Sequence, residues 1–270
     1  MVCLERVGGI LLEKKTIFFD IDGTLYNTEK KLPLSAKEAV ASLQNSGHEV
    51  VIATGRAPFI FADLREELGI DSYVSLNGQY VVHKGKEIYA NPFKQDALNR
   101  LLNQASTAGH DTLLVNEQGW HTNGKQSTLM DEVIASLKAG KAIEYNSDSD
   151  AHLPSLQTLI FCEEADEAAY RSQFPEFEFI RWHENSMDIL PKGSSKALGI
   201  EKYLQASKGL LENSYAFGDG LNDIEMLEFV RNSVAMGNAF AEVKAAAKHV
   251  TEHVDEDGIV KGLKQLGLID

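Results

Sequence analysis

Three apolar runs near the N-terminus each end in a short polar turn, with helix-patterned segments between them. That alternation limits what this chain can become. Thr16-Ile17-Phe18-Phe19, Glu49-Val50-Val51-Ile52-Ala53 and Tyr73-Val74-Ser75-Leu76 have the length and the β-branched or aromatic content of buried strands. Between the first two, Ala36, Ala39, Val40 and Leu43 recur at helical spacing, Ser35-Ala36-Lys37-Glu38 matches a capping box, and Gly47 is the stop. A second helix is predicted from about Pro58 to Leu68, ending at Gly69. Strand–helix–strand links this short produce right-handed crossovers and a parallel sheet.

The pattern changes after His83 and returns near Met187. Tyr80–His83 and Glu87–Ala90 read as hairpin arms around Lys84-Gly85-Lys86, followed by a helix over Phe93–Ala108. A second hairpin is predicted from Thr112–Asn116 and Trp120–Thr122, then a helix at Leu129–Leu137 and a polar turn at Asn146–Asp150. Gln157–Cys162, a helix across Glu164–Gln173 and Phe177–Arg181 suggest a βαβ-like unit. Met187–Leu190 reads as a short strand or approach segment. Beyond it come helices at Ser194–Gln205, Leu221–Phe229, Ala241–Lys248 and Gly258–Leu266, with strands at Ser214–Phe217, Ser233–Met236 and His249–Thr251. The predicted fold class is α/β: a Rossmann-like, doubly wound parallel sheet from residues 1–83 and 187–270, carrying an inserted α+β domain over 84–186. The changes of pattern place expected hinges near His83–Gly85 and Asn185–Met187.

Charge and composition narrow the partners. Forty acidic residues against 26 Lys and Arg give a formal charge of −14, which disfavours nucleic acid and anionic membranes as partners. An anionic ligand would need local cations or helix N-termini to overcome that field. Cys3 and Cys162 are far apart and have no metal-ligand spacing, so they read as isolated, reduced thiols of a cytoplasmic protein. Gly8-Gly9-Ile10-Leu11-Leu12 is too short for a signal-peptide core and is flanked by Glu5 and Glu13. No role is assigned to Met1–Lys15, and oligomeric state is not legible.

The chemistry gathers at the strand ends. Ligands of open α/β sheets bind at the carboxyl ends of the strands. Asp20 and Asp22 follow the first strand, and residues i and i+2 of a strand share a face. Two close carboxylates repel and need a cation or a shared proton, which suits a Mg²⁺ site with one nucleophilic and one acid/base carboxylate. A polar turn is the plainer alternative. Thr54-Gly55-Arg56 ends a second strand and Gly218-Asp219-Gly220-Leu221-Asn222-Asp223 a third, while Lys196 opens a helix. Taken singly, Thr54 fits a turn residue, Lys196 a surface lysine, and Asp219 or Asp223 a helix cap. Taken together they supply three metal-binding carboxylates, an ammonium, a hydroxyl and loop N–H groups suited to a phosphoryl group.

These four segments resemble the motifs of the haloacid dehalogenase (HAD) superfamily, and their order and the inserted domain resemble its Cof-type branch with a type IIB cap. Leu76-Asn77-Gly78 and Glu256-Asp257-Gly258-Ile259 are also similar to that branch. The resemblance runs from Thr16 onward. It implies a Mg²⁺-dependent phosphohydrolase of small phosphorylated metabolites, sugar phosphates foremost, working through an aspartyl-phosphate. By the same resemblance Asp20 is the nucleophile and Asp22 the acid and base. Asp20, Asp219 and the backbone carbonyl of Asp22 are the metal ligands, with Asp223 supporting. Ile21, Thr54, Gly55, Lys196 and Asn222 hold the phosphoryl oxygens. Ser194-Ser195-Lys196 departs from the usual Gly-x-Ser-Lys run, which makes Lys192 a rival for the phosphate lysine; Arg56 is either a substrate contact or an ion-pair partner.

The resemblance also implies a cap that closes and meets the leaving group. Glu117, His121, His183 and Glu184 are candidates for that role, though surface or hinge positions fit them as well. Trp120 and Trp182 read as cap-core aromatics. His110, His152, His249 and His253 show no partner spacing. A phosphomutase would need Arg or Lys clustered in the inserted domain, where Arg100, Arg171 and Arg181 show no such clustering. A non-catalytic binding protein would not need both carboxylates.

Overall fold

A computed structural model describes residues 4–7, 10–122, 127–136, 145–146 and 154–270. Chain contacts divide it into two compact units: residues 1–55, 63–89 and 195–270 form the first, and 56–62 with 90–194 the second.

The first unit is built on an eight-stranded sheet. Its order is His249–Val250, Asn232–Ala235, Ser214–Gly218, Thr16–Phe19, Glu49–Ala53, Tyr73–Ser75, Tyr80–His83 and Lys86–Ala90. The first six strands are parallel, and Tyr80–His83 turns back antiparallel. All four residues of Thr16–Phe19 are buried, as a central parallel strand requires. On one face Phe18, Val51, Ala53 and Val74 pack with Ile200, Tyr203 and Leu204 of the helix Lys196–Ser207. Leu34–Asn45 packs on the Glu49–Ala53 strand and against Gly258–Gln265, giving the second helical layer. The doubly wound sheet read from the sequence is therefore present.

The second unit holds a six-stranded sheet ordered Tyr145–Asn146, Trp120–Thr122, Asp111–Val115, Gln157–Phe161, Ser186–Pro191, Phe177–His183. The predicted hairpin of Asp111–Val115 with Trp120–Thr122 is antiparallel. Leu98, Leu101 and Ala105 of Gln95–Ala108, with Tyr170 and Phe174, bury against Ile160, Phe177, Phe179, Met187 and Ile189. No helix among the described residues is long and apolar enough to cross a membrane.

Several local readings need correction. Ser186–Pro191 is not an approach to the first sheet: it lies between Gln157–Phe161 and Phe177–His183, antiparallel to both, and splits the βαβ unit. Lys86–Ala90 belongs to the first sheet rather than the insertion. By chain contacts the border falls after Tyr89 and Ser194. His83 stays with the first unit because its Nδ1 lies 2.9 Å from the Tyr203 hydroxyl, which in turn donates to Glu49. The second helix is shorter than predicted, Ala62–Leu68. Ser35 forms no capping box: the cap residue is Pro33, and the Ser35 hydroxyl donates instead to Asp257 Oδ1 at 2.6 Å. Leu137, residues 147–150 of the predicted polar turn, Cys3 and His152 lie outside the described residues.

One close approach sets the height of the Lys196 helix on the sheet. Gly78 has φ of +93°, and a Cβ there would lie 2.0 Å from the Ser195 carbonyl oxygen; on Gly199 it would lie 2.4 Å from Val74 Cγ1. The helix can start beside the strand ends only because these two side chains are absent. Gly78→Ala is expected to destabilise the protein by roughly 2 kcal/mol or more, combining a left-handed backbone with a backbone clash. Urea unfolding with an unchanged m-value checks it.

Candidate active site

The strand Thr16–Phe19 ends at Asp20, whose N–H donates to the Phe217 carbonyl of the neighbouring strand at 3.0 Å. The chain then turns at once, with Thr24 N–H bonding to the Ile21 carbonyl at 3.3 Å and Tyr26 N–H to the same oxygen at 2.7 Å. Gly23 sits in that turn at φ +76°, and a Cβ on it would come within 2.2 Å of Asp219 Oδ2. The missing side chain is what lets the Asp219 carboxylate reach the Asp20 loop.

Four of the predicted residues meet directly. Lys196, with no side-chain exposure, donates to Asp20 Oδ1 at 2.6 Å and to Asp223 Oδ1 at 2.5 Å. Asp20, Asp219 and Asp223 each offer a carboxylate oxygen within 4.8 Å of the others. Asp223 Oδ2 accepts the N–H groups of Asp219 and Gly220, both at 2.9 Å. Asp223 therefore joins Lys196 through one oxygen and the loop N–H groups through the other.

Asp22 is placed differently. Strand alternation stops at the Asp20 turn, so Asp22 does not join the Asp20, Asp219 and Asp223 group. Its carboxylate is partly exposed and bonds to Lys30 Nζ at 2.5 Å. Thr54 is buried at the end of the adjacent strand, and its carbonyl accepts the Asn77 N–H at 3.1 Å. Asn222 Nδ2 donates to Asn77 Oδ1 at 3.0 Å, and a Cβ on Gly55 would touch the same Asn77 amide. Thr54, Gly55, Asn77 and Asn222 thus form one continuous rim. Lys192 makes an exposed pair with Glu178 at 3.1 Å, unlike the buried Lys196. Arg56 is buried with the second unit. In that unit Arg100 pairs with Glu176, while Arg171 and Arg181, which show no clustering in the sequence, meet at Glu167.

Charge in the cluster is unbalanced. Burial raises the Asp20 carboxyl well above the usual range; Lys196 opposes this, and Asp223, Asp219 and Asp22 add to it. Burial, then the charge of Asp223, raises Asp219 to about 6. Burial alone would lower Lys196, but Asp20 and Asp223 outweigh it and keep the ammonium charged. Three buried or half-buried acids against one ammonium, with an all-oxygen donor set, fit a hard divalent cation.

Three positioning residues escape the sequence reading. Thr24 Oγ1 donates to Asp219 Oδ1 at 2.9 Å. Asn238 Nδ2 donates to Asp219 Oδ2 at 3.0 Å and to the Gly23 carbonyl at 2.8 Å, while its Oδ1 accepts Val254 N–H. Lys30 holds Asp22. Only Asn238 left a usable signal, since Gly237-Asn238 is one more polar step at a strand end.

The haloacid dehalogenase-like hydrolase family matches residues 17–263 of this chain. The chain belongs to that family. YkrA of Bacillus subtilis (strain 168), named as a candidate phosphatase, is 44% identical over 261 residues, covering 96% of this chain and 100% of YkrA. Pyridoxal phosphate phosphatase YbhA of Escherichia coli (strain K12) is 30% identical over 271 residues, covering 92% and 96%. The solved structure of BT4131, a HAD subclass IIB sugar phosphatase, superposes with a TM-score of 0.84 at 32% identity, covering 95% and 100%. The enzyme class that accompanies this membership is phosphoric monoester hydrolase.

Removing an outer-shell partner of a metal ligand weakens binding by about 10–100-fold. Asn238→Ala, which frees Asp219 and the Gly23 turn, should lower divalent-cation affinity by that factor in a calorimetric titration.

Proposed function

We propose that this chain is a Mg²⁺-dependent phosphatase of small phosphorylated metabolites, sugar phosphates foremost, working through an aspartyl-phosphate on Asp20. The observation that carries the reading is the buried Asp20–Lys196–Asp223 chain with Asp219 beside it at one sheet edge. The names of the sugar and pyridoxal phosphate phosphatases among its relatives support the substrate class.

Asp20, Asp219 and the Asp22 carbonyl would hold Mg²⁺, which when bound neutralises charge on the phosphoryl oxygens. An Asp20 carboxylate oxygen attacks phosphorus, the bond to the leaving oxygen breaks, and Asp22 gives that oxygen its proton. Asp22 then takes a proton from water, whose oxygen attacks phosphorus and releases inorganic phosphate and the Asp20 carboxylate. An ammonium has three N–H donors. Two of Lys196's are spent on Asp20 and Asp223, leaving the third for a phosphoryl oxygen. The N–H groups of Ile21 and Gly55, the Thr54 hydroxyl and the Asn222 amide supply further donors. Positioning and charge neutralisation carry most of a phosphoryl transfer, which suits so fixed a set. We place the enzyme in the cytoplasm, where a free thiol such as Cys162 persists.

Asp20→Asn should cut Mg²⁺-dependent turnover of an aryl phosphate by roughly 10⁴-fold or more while the circular dichroism stays native. Activity kept in that variant would remove Asp20 as the nucleophile. A panel of phosphorylated metabolites compared by kcat/KM then ranks leaving groups.

The raised Asp219 carboxyl adds a pH dependence. The folded, cation-free chain keeps this proton between the ordinary value of 3.8 and about 6, where the unfolded chain has lost it. Its contribution to stability is therefore full below the lower value and lost as pH rises through the upper one. Mg²⁺ needs the ionised carboxylate, so the Mg²⁺-induced rise in Tm should grow up to about pH 6 and level off above it. Paired thermal scans with and without Mg²⁺ check the slope.

A further inference from the structure

Three metal-ligating side chains far apart in sequence meet at one end of the second unit's sheet. His110 precedes the strand Asp111–Val115, and Cys162 follows the strand Gln157–Phe161. Those strands are antiparallel with Phe161 opposite Asp111, so the start of one meets the end of the other. Asp166 comes from the first turn of the Glu164–Gln173 helix. One ligand atom each from His110, Cys162 and Asp166 lies within 4.8 Å of the other two.

The surroundings suit a metal. His110 Nε2 lies 3.4 Å from Asp166 Oδ2, while Nδ1 lies 2.8 Å from the Tyr170 hydroxyl. That second contact aims Nε2 at the cluster, as outer-shell partners of metal-bound imidazoles do. Cys162 is buried, and burial pushes its thiol up; the Arg181 guanidinium, 4.0 Å from Sγ, works the other way. Arg181 also pairs with Glu167 at 2.7 Å, a carboxylate it shares with Arg171, so its positive charge beside the cluster is offset in part. The Asp166 side chain is 44% exposed and gives an ion a way in.

We propose that His110, Cys162 and Asp166 form a Zn²⁺ site, with Nε2, Sγ and a carboxylate oxygen as protein ligands and water in the fourth position. One imidazole, one thiolate and one carboxylate favour a borderline-soft ion over Mg²⁺. Bonds of about 2.0–2.3 Å set tetrahedral ligand atoms roughly 3.3–3.8 Å apart, so closure asks only for a contraction of these side chains. Binding replaces the Cys162 S–H proton, released to solvent, with a sulfur–zinc bond and involves no redox step. Such an ion ties together two strand ends and a helix start. The site shares no residue with the Asp20 cluster and does not depend on the phosphatase reading.

The test uses the full chain, stripped with a chelator and given Zn²⁺ alone, then Co²⁺ as a spectroscopic probe. Zn²⁺ should stay bound through gel filtration. Co²⁺ should give thiolate-to-metal charge-transfer absorption in the near ultraviolet, which the all-oxygen Asp20 cluster cannot produce. Cys162→Ser and His110→Gln should each lose that band, while Asp219→Asn keeps it. No band in the wild-type chain, or a band that survives in Cys162→Ser, overturns the site. The wild-type result needs no variant to fold, and circular dichroism checks those that are used.

Discussion

A single ammonium, Lys196 Nζ, is the point on which the active-site architecture rests. It is fully buried and bonds Asp20 on one strand end and Asp223 on the helix after another. Removing either partner of such a buried pair costs about 3–5 kcal/mol, because the remaining charge has no water to turn to. Asp223 in turn holds the Asp219 and Gly220 N–H groups. Asp20, Lys196 and the Asp219–Asp223 loop are therefore one bonded unit. Gly78 and Gly199 make that unit possible by letting the Lys196 helix lie against the sheet.

The cluster is left short of positive charge. Asp20, Asp219 and Asp223 outnumber Lys196, and burial magnifies the imbalance by raising Asp20 and Asp219. On the proposed function, a divalent cation would meet the acids, while the third Lys196 N–H and the Thr54–Asn222 rim would meet an anionic phosphate. In a chain of charge −14, the proposed negatively charged substrate would depend on this local arrangement to approach.

Much of this was legible in one dimension because strand ends and glycine turns are local features. Apolar runs stopping at Asp20, Thr54 and Asp219 already imply a shared sheet edge, and the parallel order of those strands bears that out. Local reasoning failed where a competing tertiary partner won. Ser35 bonds Asp257 across the fold instead of capping its own helix. Ser186–Pro191 is too short and apolar to declare which sheet it joins, and it went to the one whose open slot it fills. Asp22 lies in the turn after a strand that stops at Phe19, so alternation does not place it, and its carboxylate pairs with Lys30.

By itself, then, the sequence determined the doubly wound α/β core, the polar turns at three of its strand ends with the lysine that opens a helix, and the family they belong to, since period, turn chemistry and motif order are written along the chain. Only the tertiary structure decided which charges meet. It sent Lys30 to Asp22, Asn238 and Thr24 to Asp219, and His110 to Cys162 and Asp166. Each of these contacts joins residues whose spacing carries no period, and only burial and hydrogen bonding in three dimensions select them.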